Sequence, residues 1–472
     1  MISSFFGLET AKRALQSQQA ALNVTGHNIA NANSLGYTRQ IAVLNATAAF
    51  TFQNMGRTTQ IGTGVNLDQI TRSREFFIDS QLRNETSSQQ YWTTRNTALN
   101  TIQGIMNEPT DNSLRNDMDA FWNAWSELST DPESLPARTV VMAKANSLVE
   151  SFHNISTSAT EISQNLNNTI AVQIKQINTF VSQIADLNDQ IYRAESSGGN
   201  PNDLKDKRDL VIDELSEIIS VKVDDLASGF SVTIGDPVTG TKVVDGKTVN
   251  LLTDFTGDTL NLSTAKGSLL AALEIRGDAS GVGGYIQDFM SQFDELALGI
   301  ATAVNALHTS GQDLQQVQGE EFFDTAVPIK ASNIKLNASI VGDVSKIAAA
   351  SIAADINPGD GSIALKISSL SEGWAATASP FLPSTASSFA AFYTSSIVQI
   401  GVDVQKAESM QSMKDAVVAQ LANQRDSVSG VNLDEEIINL TKYQKSFAAA
   451  ARVVTMMDDL LDTIINGMGI TR

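Results

Sequence analysis

The sequence predicts a mainly α-helical, elongated, multidomain rod with small β-containing subdomains, its N- and C-terminal helices paired as a coiled coil. Three observations carry that reading. Apolar residues recur at steps of seven at both ends: Leu8, Leu15, Leu22 and Ile29 near the start, and Leu433, Leu440, Phe447, Val454, Leu461 and Met468 near the end. Seven residues are two helical turns, so each series lines one helical face, and a strict seven-step favours packing against another helix. All nine prolines fall between Pro109 and Pro383, leaving an uninterrupted arm at each end. Strand-like alternation is confined to short interior runs.

In the first helix the positions three beyond the stripe are Ala11, Gln18 and Thr25, which makes its apolar face narrow. The helix should close at the Asn-rich run, because Asn31, Asn33 and Gly36 tolerate left-handed backbone and accept capping bonds. A helix is expected from Glu75 to Met106, ending before Pro109, and a shorter one from Leu114 to Leu128. A long helix follows over Arg138 to Ala194, with Ile155, Ile162, Leu166, Ile170, Ile177, Val181, Ile184 and Ile191 at helical steps, stopped by the run Ser196 to Pro201. After a helix over Asp203 to Ile219, alternation at Val221-Val223, Phe230-Val232-Ile234 and Lys242 to Leu252 predicts short strands. Helix returns over Gly267 to His308. The stretch Phe322 to Pro383 reads as short strands and turns, and helix resumes near Ala386, breaking at Ser429-Gly430. The C-terminal stripe is widened by Ile437, Tyr443, Ala450, Ala451, Met457, Ile464 and Ile465, and Asn432 or Asp434 is placed to cap it. Two narrow stripes offset only part of the entropy of ordering both arms, so the pair is expected to need neighbouring subunits.

These elements suggest three parts: a terminal coiled-coil domain (1–40 plus 425–472), a helical rod (41–325 plus 384–424) with a small β insertion near 221–265, and a small outer domain (326–383). With 52 acidic and 32 basic residues, the net charge of −20 argues against nucleic acid or an anionic membrane surface as partners. The absence of cysteine excludes disulfides and thiolate chemistry. No stretch approaches the roughly twenty apolar residues of a membrane span, and the N-terminus carries no pattern of a cleaved secretory signal.

Candidate chemical sites are weak. His27, His153 and His308 sit in separate segments without metal or triad spacing and read as structural. Asp355 to Gly361 departs from a calcium loop, with Asp360 where glycine and Lys366 where glutamate belong, and reads as a turn. Gly281-Val282-Gly283-Gly284 lacks the context of a nucleotide site and reads as a flexible joint. The segment around Arg208 reads as a solvated charged helix face. No cofactor, metal site or catalytic constellation is expected.

The segment His27-Asn28-Ile29-Ala30-Asn31-Ala32-Asn33-Ser34-Leu35-Gly36-Tyr37-Thr38-Arg39-Gln40 resembles the signature of bacterial flagellar rod, hook and hook-associated proteins, with Asn28, Ala30, Asn31, Asn33, Gly36 and Tyr37 as its positions. Three further segments point within that family to its first hook-filament junction branch, hook-associated protein 1. They are Asn202-Asp203-Leu204 through Arg208-Asp209 to Ser216, then Val304-Asn305-Ala306-Leu307-His308, and Ser429-Gly430-Val431-Asn432-Leu433-Asp434-Glu435-Glu436 leading into Tyr443 to Phe447. The resemblance covers most of the chain and is weakest over 338–383. It implies a structural, non-enzymatic axial protein, exported through the flagellum's own channel and assembled as a ring. Its implied partners are copies of itself, the hook protein, the second junction protein, and an export chaperone on the C-terminal helix. Other axial components (flagellin, the second junction protein) are the nearest alternatives; a secreted adhesin or hydrolase in the middle region would need a polar constellation that the sequence does not display.

Overall fold

The computed structural model describes residues 5–54, 57–106, 113–226, 229–236, 240–252, 266–277, 283–352, 359–373 and 388–463. In chain order, α1 (Phe6–Ala30) is followed by β1 (Gln40–Ala46), β2 (Phe50–Asn54), β3 (Arg57–Ile61) and β4 (Val65–Arg72). Then come α2 (Phe76–Ile105), α3 (Leu114–Thr130), α4 (Leu135–Ser196) and α5 (Asn202–Ile218), the strands β5 (Val221–Leu226), β6 (Gly229–Ile234), β7 (Thr241–Asp245) and β8 (Thr248–Val249), and the helices α6 (Ser268–Arg276) and α7 (Tyr285–His308). A short-element region holds β9 (Gly311–Gln312), α8 (Ala338–Gly342), β10 (Ala350–Ser351) and α9 (Ser362–Ser368), before α10 (Phe389–Ser429) and α11 (Leu433–Asp462).

The sequence predicts helix from Gly267 to about His308 with a joint at Gly281 to Gly284, and the structure divides the span into α6 and α7. Gly277 ends α6 at φ 91°, and a Cβ on Gly284 would collide with the Gly277 nitrogen. The two glycines thus permit a close backbone approach between the helix ends, in place of the flexible joint expected there; Gly281 and Val282 lie outside the described residues. The larger difference is at 40–72, where a helical rod is expected. Here β1 pairs antiparallel with β4, from Gln40 opposite Arg72 to Ala46 opposite Val65, and β2 pairs with β3 as a hairpin inserted between them. The sequence Thr-Ala-Ala-Phe-Thr-Phe mixes polar and small residues too evenly to announce a buried face, and it is backbone pairing that makes the ladder.

The contacts separate the chain into two units where three parts are expected. One comprises 1–87, 176–252 and 414–472. It holds α1, both hairpin ladders, the end of α4, α5, the antiparallel meander β5-β6-β7-β8, the end of α10, and α11. Ile177, Val181, Ile184, Ile212, Leu215, Val232, Ile234 and Val243 are fully buried in it. The sheet and α5 follow the expectations for 203–252 closely.

The second unit comprises 88–175 and 253–413. Its core is aromatic: Phe121, Trp122 and Trp125 of α3 meet Phe322, Phe323 and Phe389, with Trp122 stacked on Phe389 at 6.0 Å. Ser113 caps α3, and Pro136 sits in the first turn of α4, where a missing N–H costs nothing. Ile329, Ile334, Ile340, Ile347, Ile363 and Ile367 belong to this same core. The described part of 326–383 is therefore packed into the helical unit, through short helices more than strands. Trp374 and Pro383 lie outside the described residues, as do Pro109 and Met468.

Candidate assembly site

The terminal helices α1 and α11 pack against each other, and two contacts give their direction and register. Near one end Asn28 Nδ2 donates to Glu436 Oε2 at 3.1 Å. Near the other, a Cβ on Gly7 would lie 2.6 Å from Met457 Cε. The pairing is antiparallel. The span from 7 to 28 equals that from 436 to 457, about 32 Å along a helix axis in each case. That register sets Ala14 opposite Ala450 and Ala21 opposite Tyr443. The seam on α1 is thus the line Gly7, Ala14, Ala21, Asn28, again at steps of seven, and its small residues let α11 approach closely.

The leucine stripe runs one position further on, about 100° around the helix. Leu8, Leu15, Leu22 and Ile29 are half-buried, while the buried residues of α1 are Ala11, Ser17, Ala21, Val24, Thr25 and Asn28. Part of that buried face meets β1 and β4, where Ser17 Oγ donates to the Val65 carbonyl. On α11, Leu440, Phe447, Val454 and Leu461 are half-buried, together with Tyr443, Ala450 and Met457 of the seam. Leu433 is 46% exposed. Met468, Ile464 and Ile465 lie outside the described residues. A second apolar line on α11, roughly a third of a turn away, is open: Ile438, Val453, Met456 and Leu460 are all exposed.

The Asn-rich segment does more than end a helix. Asn31 terminates α1, and its side chain bonds back to the His27 carbonyl. Asn33 and Ala30 are exposed, and Gly36, at φ 75°, lies against Leu210 of α5. Asn28, almost completely buried, uses both ends of its amide: Nδ2 donates to the Gln40 carbonyl and to Glu436, and Oδ1 accepts from Gln40 N at 2.9 Å and from Tyr37 Oη at 2.7 Å. Burial, then the Asp203, Asp206 and Glu436 carboxylates, push the Tyr37 phenol above its ordinary value, so it remains a donor at neutral pH. Arg39 reaches Glu435 and Glu436 at 2.9 Å each, and its backbone N–H donates to Ser429. Asn432 caps α11 through the N–H groups of Asp434 and Glu435.

The third motif joins the same place. Thr38 N donates to Asp206, and Gln40 Nε2 to Asp203. Arg72 bonds Asp206 at 2.9 Å and Asp209 at 2.7 Å, Arg74 bonds Asp209 at 2.8 Å, and Arg83 and Arg425 share Asp213. The expectation of a solvated face is overturned: Asp206, Arg208 and Asp209 are all buried. Burial alone would raise the Asp209 carboxyl, but Arg74, then Arg72 and Arg83, hold it below the usual carboxylate range. Arg208 lies flat on Phe230, 3.5 Å from the ring centroid, and donates to Asn188. The aspartates of α5 are legible in the sequence as charged, but Arg72 and Arg83 lie 130 to 137 residues upstream of their partners and Arg425 lies 212 downstream of Asp213, so none carries a local signal.

The remaining motif, 304–308, organises the second unit. Asn305 Oδ1 accepts from the N–H groups of Phe322 and Phe323, and its Nδ2 donates to the Phe323 carbonyl. His308 Nε2 accepts from Ala348 N at 2.8 Å, so the ring proton sits on Nδ1, which donates to the Glu320 carbonyl. His153 bonds the Ile334 carbonyl, and His27 bonds Tyr37. Among the described residues no cluster of His, Asp and Glu is placed to hold a metal, and no helix is long and apolar enough to cross a membrane. Asp360 accepts from Ser351 and Ser362 as a turn carboxylate; Asp355 to Pro358 lie outside the described residues.

The site is thus a helix pair built from the two chain ends and locked by motifs drawn from three distant segments. Residues 8–38 match the family of flagella basal body rod proteins, 422–467 the C-terminal region of flagellar basal body rod FlgEFG proteins, and 99–323 the helical domain of flagellar hook-associated protein FlgK. Flagellar hook-associated protein 1 of Bacillus subtilis is 33% identical, over 100% of this chain and 99% of its own length. That of Escherichia coli is 26% identical over 97% and 99%. The solved flagellar hook junction protein FlgK from Burkholderia pseudomallei superimposes with a TM-score of 0.62 at 14% identity, covering 74% of this chain and all of that one. The chain belongs to the flagellar hook-associated protein 1 family.

Proposed function

We propose that this protein forms the ring at which the flagellar filament is joined to the hook, assembling through its terminal helices. In this reading 1–40 and 425–472 make the inner layer of the axial tube, and the protein carries no catalytic activity and no cofactor. The observation that supports it most directly is the two-sided character of α11. One face packs on α1, and Ile438, Val453, Met456 and Leu460 on another are left in water. Exposed apolar lines on a helix mark surface that another chain covers. The half-buried Leu8, Leu15, Leu22 and Ile29 would close against neighbouring copies in the same way.

The implied partners are copies of the chain itself, the hook protein below and the second junction protein above. Before export through the flagellum's own channel, a cytoplasmic chaperone would mask the open face of α11. Family membership and the exposed line on α11 support these partners. Purified protein added to isolated hooks should bind their distal ends in a single layer. Absence of end binding, or growth into long self-polymers, would overturn the junction reading.

A further inference from the structure

The open face of α11 is charged as well as apolar, and its charges are sorted by side. At about 100° per residue, Ile438, Ala449 and Met456 fall close to one line along the helix. Asp434, Lys445, Arg452 and Asp459 lie within about 60° of that line on one flank, and Glu435, Lys442, Val453 and Leu460 within about 60° on the other. All of these residues are exposed. Of the six charged side chains only Glu435 has an ion-pair partner among the described residues, Arg39 at 2.9 Å. That guanidinium is shared with Glu436, so the two carboxylates together keep a negative charge.

Copies in an axial tube with a hook end and a filament end all point the same way. Side-by-side copies therefore meet through opposite flanks, a heterologous contact. If neighbouring α11 helices stood level, Asp434 would face Glu435 and Lys445 would face Lys442, each pair within about 5 Å in height. Like charges so placed repel and disfavour that packing. A stagger removes both clashes. Asp459 lies seventeen residues beyond Lys442, and Arg452 lies seventeen beyond Glu435. One displacement of about 25 Å thus makes both pairs complementary at once. Exposed ion pairs hold weakly, so their part is to choose the register while the apolar line supplies burial.

We propose that the open face of α11 packs on the α11 of a second copy, parallel and displaced by about 25 Å along the axis, with Lys442 against the neighbour's Asp459 and Glu435 against its Arg452. The inference rests on the junction reading and gives it a register: the layer at the hook tip is stepped instead of flat.

Lys442→Glu should weaken addition of the full-length protein to isolated hooks about tenfold, as should Asp459→Lys, and the chain carrying both should recover, because the swap restores the pair. Level packing predicts the opposite sign, since Lys442→Glu would then face Lys445 favourably. The chain has no cysteine, so linkage can be read directly. Lys442→Cys and Asp459→Cys chains, mixed on hooks and treated with a short bis-maleimide, should give linked dimers absent from either chain alone, whereas a mixture of Lys442→Cys and Lys445→Cys chains should not. Unchanged or stronger addition of Lys442→Glu, a swapped chain no better than either single variant, or linkage in the second mixture in place of the first would overturn the stagger. In that case wild-type protein that still adds to hook ends leaves the junction reading standing; wild-type protein that does not add removes both.

Discussion

Asn28 and Glu436 are 408 residues apart in the chain and share a buried hydrogen bond of 3.1 Å. The same glutamate accepts from Arg39, and the same asparagine accepts from Tyr37 Oη and the Gln40 N–H while it donates to the Gln40 carbonyl. One residue pair thereby ties the end of α1 to the start of α11 and sets the register of everything between them and Met457.

Glu436→Gln should loosen that tie. It leaves the Arg39 guanidinium with the exposed Glu435 as its carboxylate among the described residues, and breaking a buried ion pair costs roughly 3 kcal/mol or more. Amide hydrogen exchange should quicken along 6–30 and 433–462 while the aromatic core around Phe121 keeps its protection. Unchanged exchange in both helices would show that the pair does not hold the register.

Two glycines should respond oppositely to alanine. Gly36 sits at φ 75°, and the Leu210 side chain is 3.1 Å from where a Cβ would stand, so Gly36→Ala should lose about 1–2 kcal/mol. Gly7 is helical, and only the flexible end of Met457 stands in the way, so Gly7→Ala should be neutral or gain up to about 1 kcal/mol of helix propensity. Thermal melting of the two variants decides it; equal losses would show that the Met457 side chain does not give way.

The second unit should be acid-sensitive. Burial pulls the His308 imidazole down to about 4, against about 6.5 unfolded. Between those values the unfolded chain binds the proton and the folded one does not, so stability present above about 6.5 is lost as pH falls towards 4. From pH 6.5 to 5 the loss should be about 2 kcal/mol. Denaturation at the two pH values measures it, and His308→Gln should flatten this slope even if it lowers stability throughout. An equal slope in that variant would place the acid sensitivity elsewhere.

Leu440→Pro should abolish incorporation into flagella, because proline costs about 3 kcal/mol or more inside a helix. None of the second unit's buried core comes from α11, so melting of that unit should hardly change. A large fall in its melting temperature would contradict this separation.

What the sequence disclosed follows from how each signal is built. On α11 the residues Leu440, Phe447, Val454 and Leu461 stand out in the sequence because they are large and evenly spaced, and the structure leaves them half-buried beside the seam. On α1 the leucines drew attention one position away from the seam, since Gly7, Ala14 and Ala21 pack closely by being small, and small residues carry no hydrophobic signal. The ladder of β1 and β4 carries no such signal, because its register rests on backbone bonds between segments whose side chains stay largely half-exposed. Arg208 and Asp209 looked like surface because charge reads as surface until its partners are known. The motifs at Asn28, Asp206 and Glu436 were each visible; that they converge is a property of the fold.

Immunogold electron microscopy of cells in which a deletion of this gene is complemented by the labelled protein tests the central claim most directly. Cells without the protein should build hooks, grow no filaments and release flagellin, and restored cells should carry label in one thin band at the hook tip. Normal filaments in its absence, or label along the filament's whole length, would contradict it.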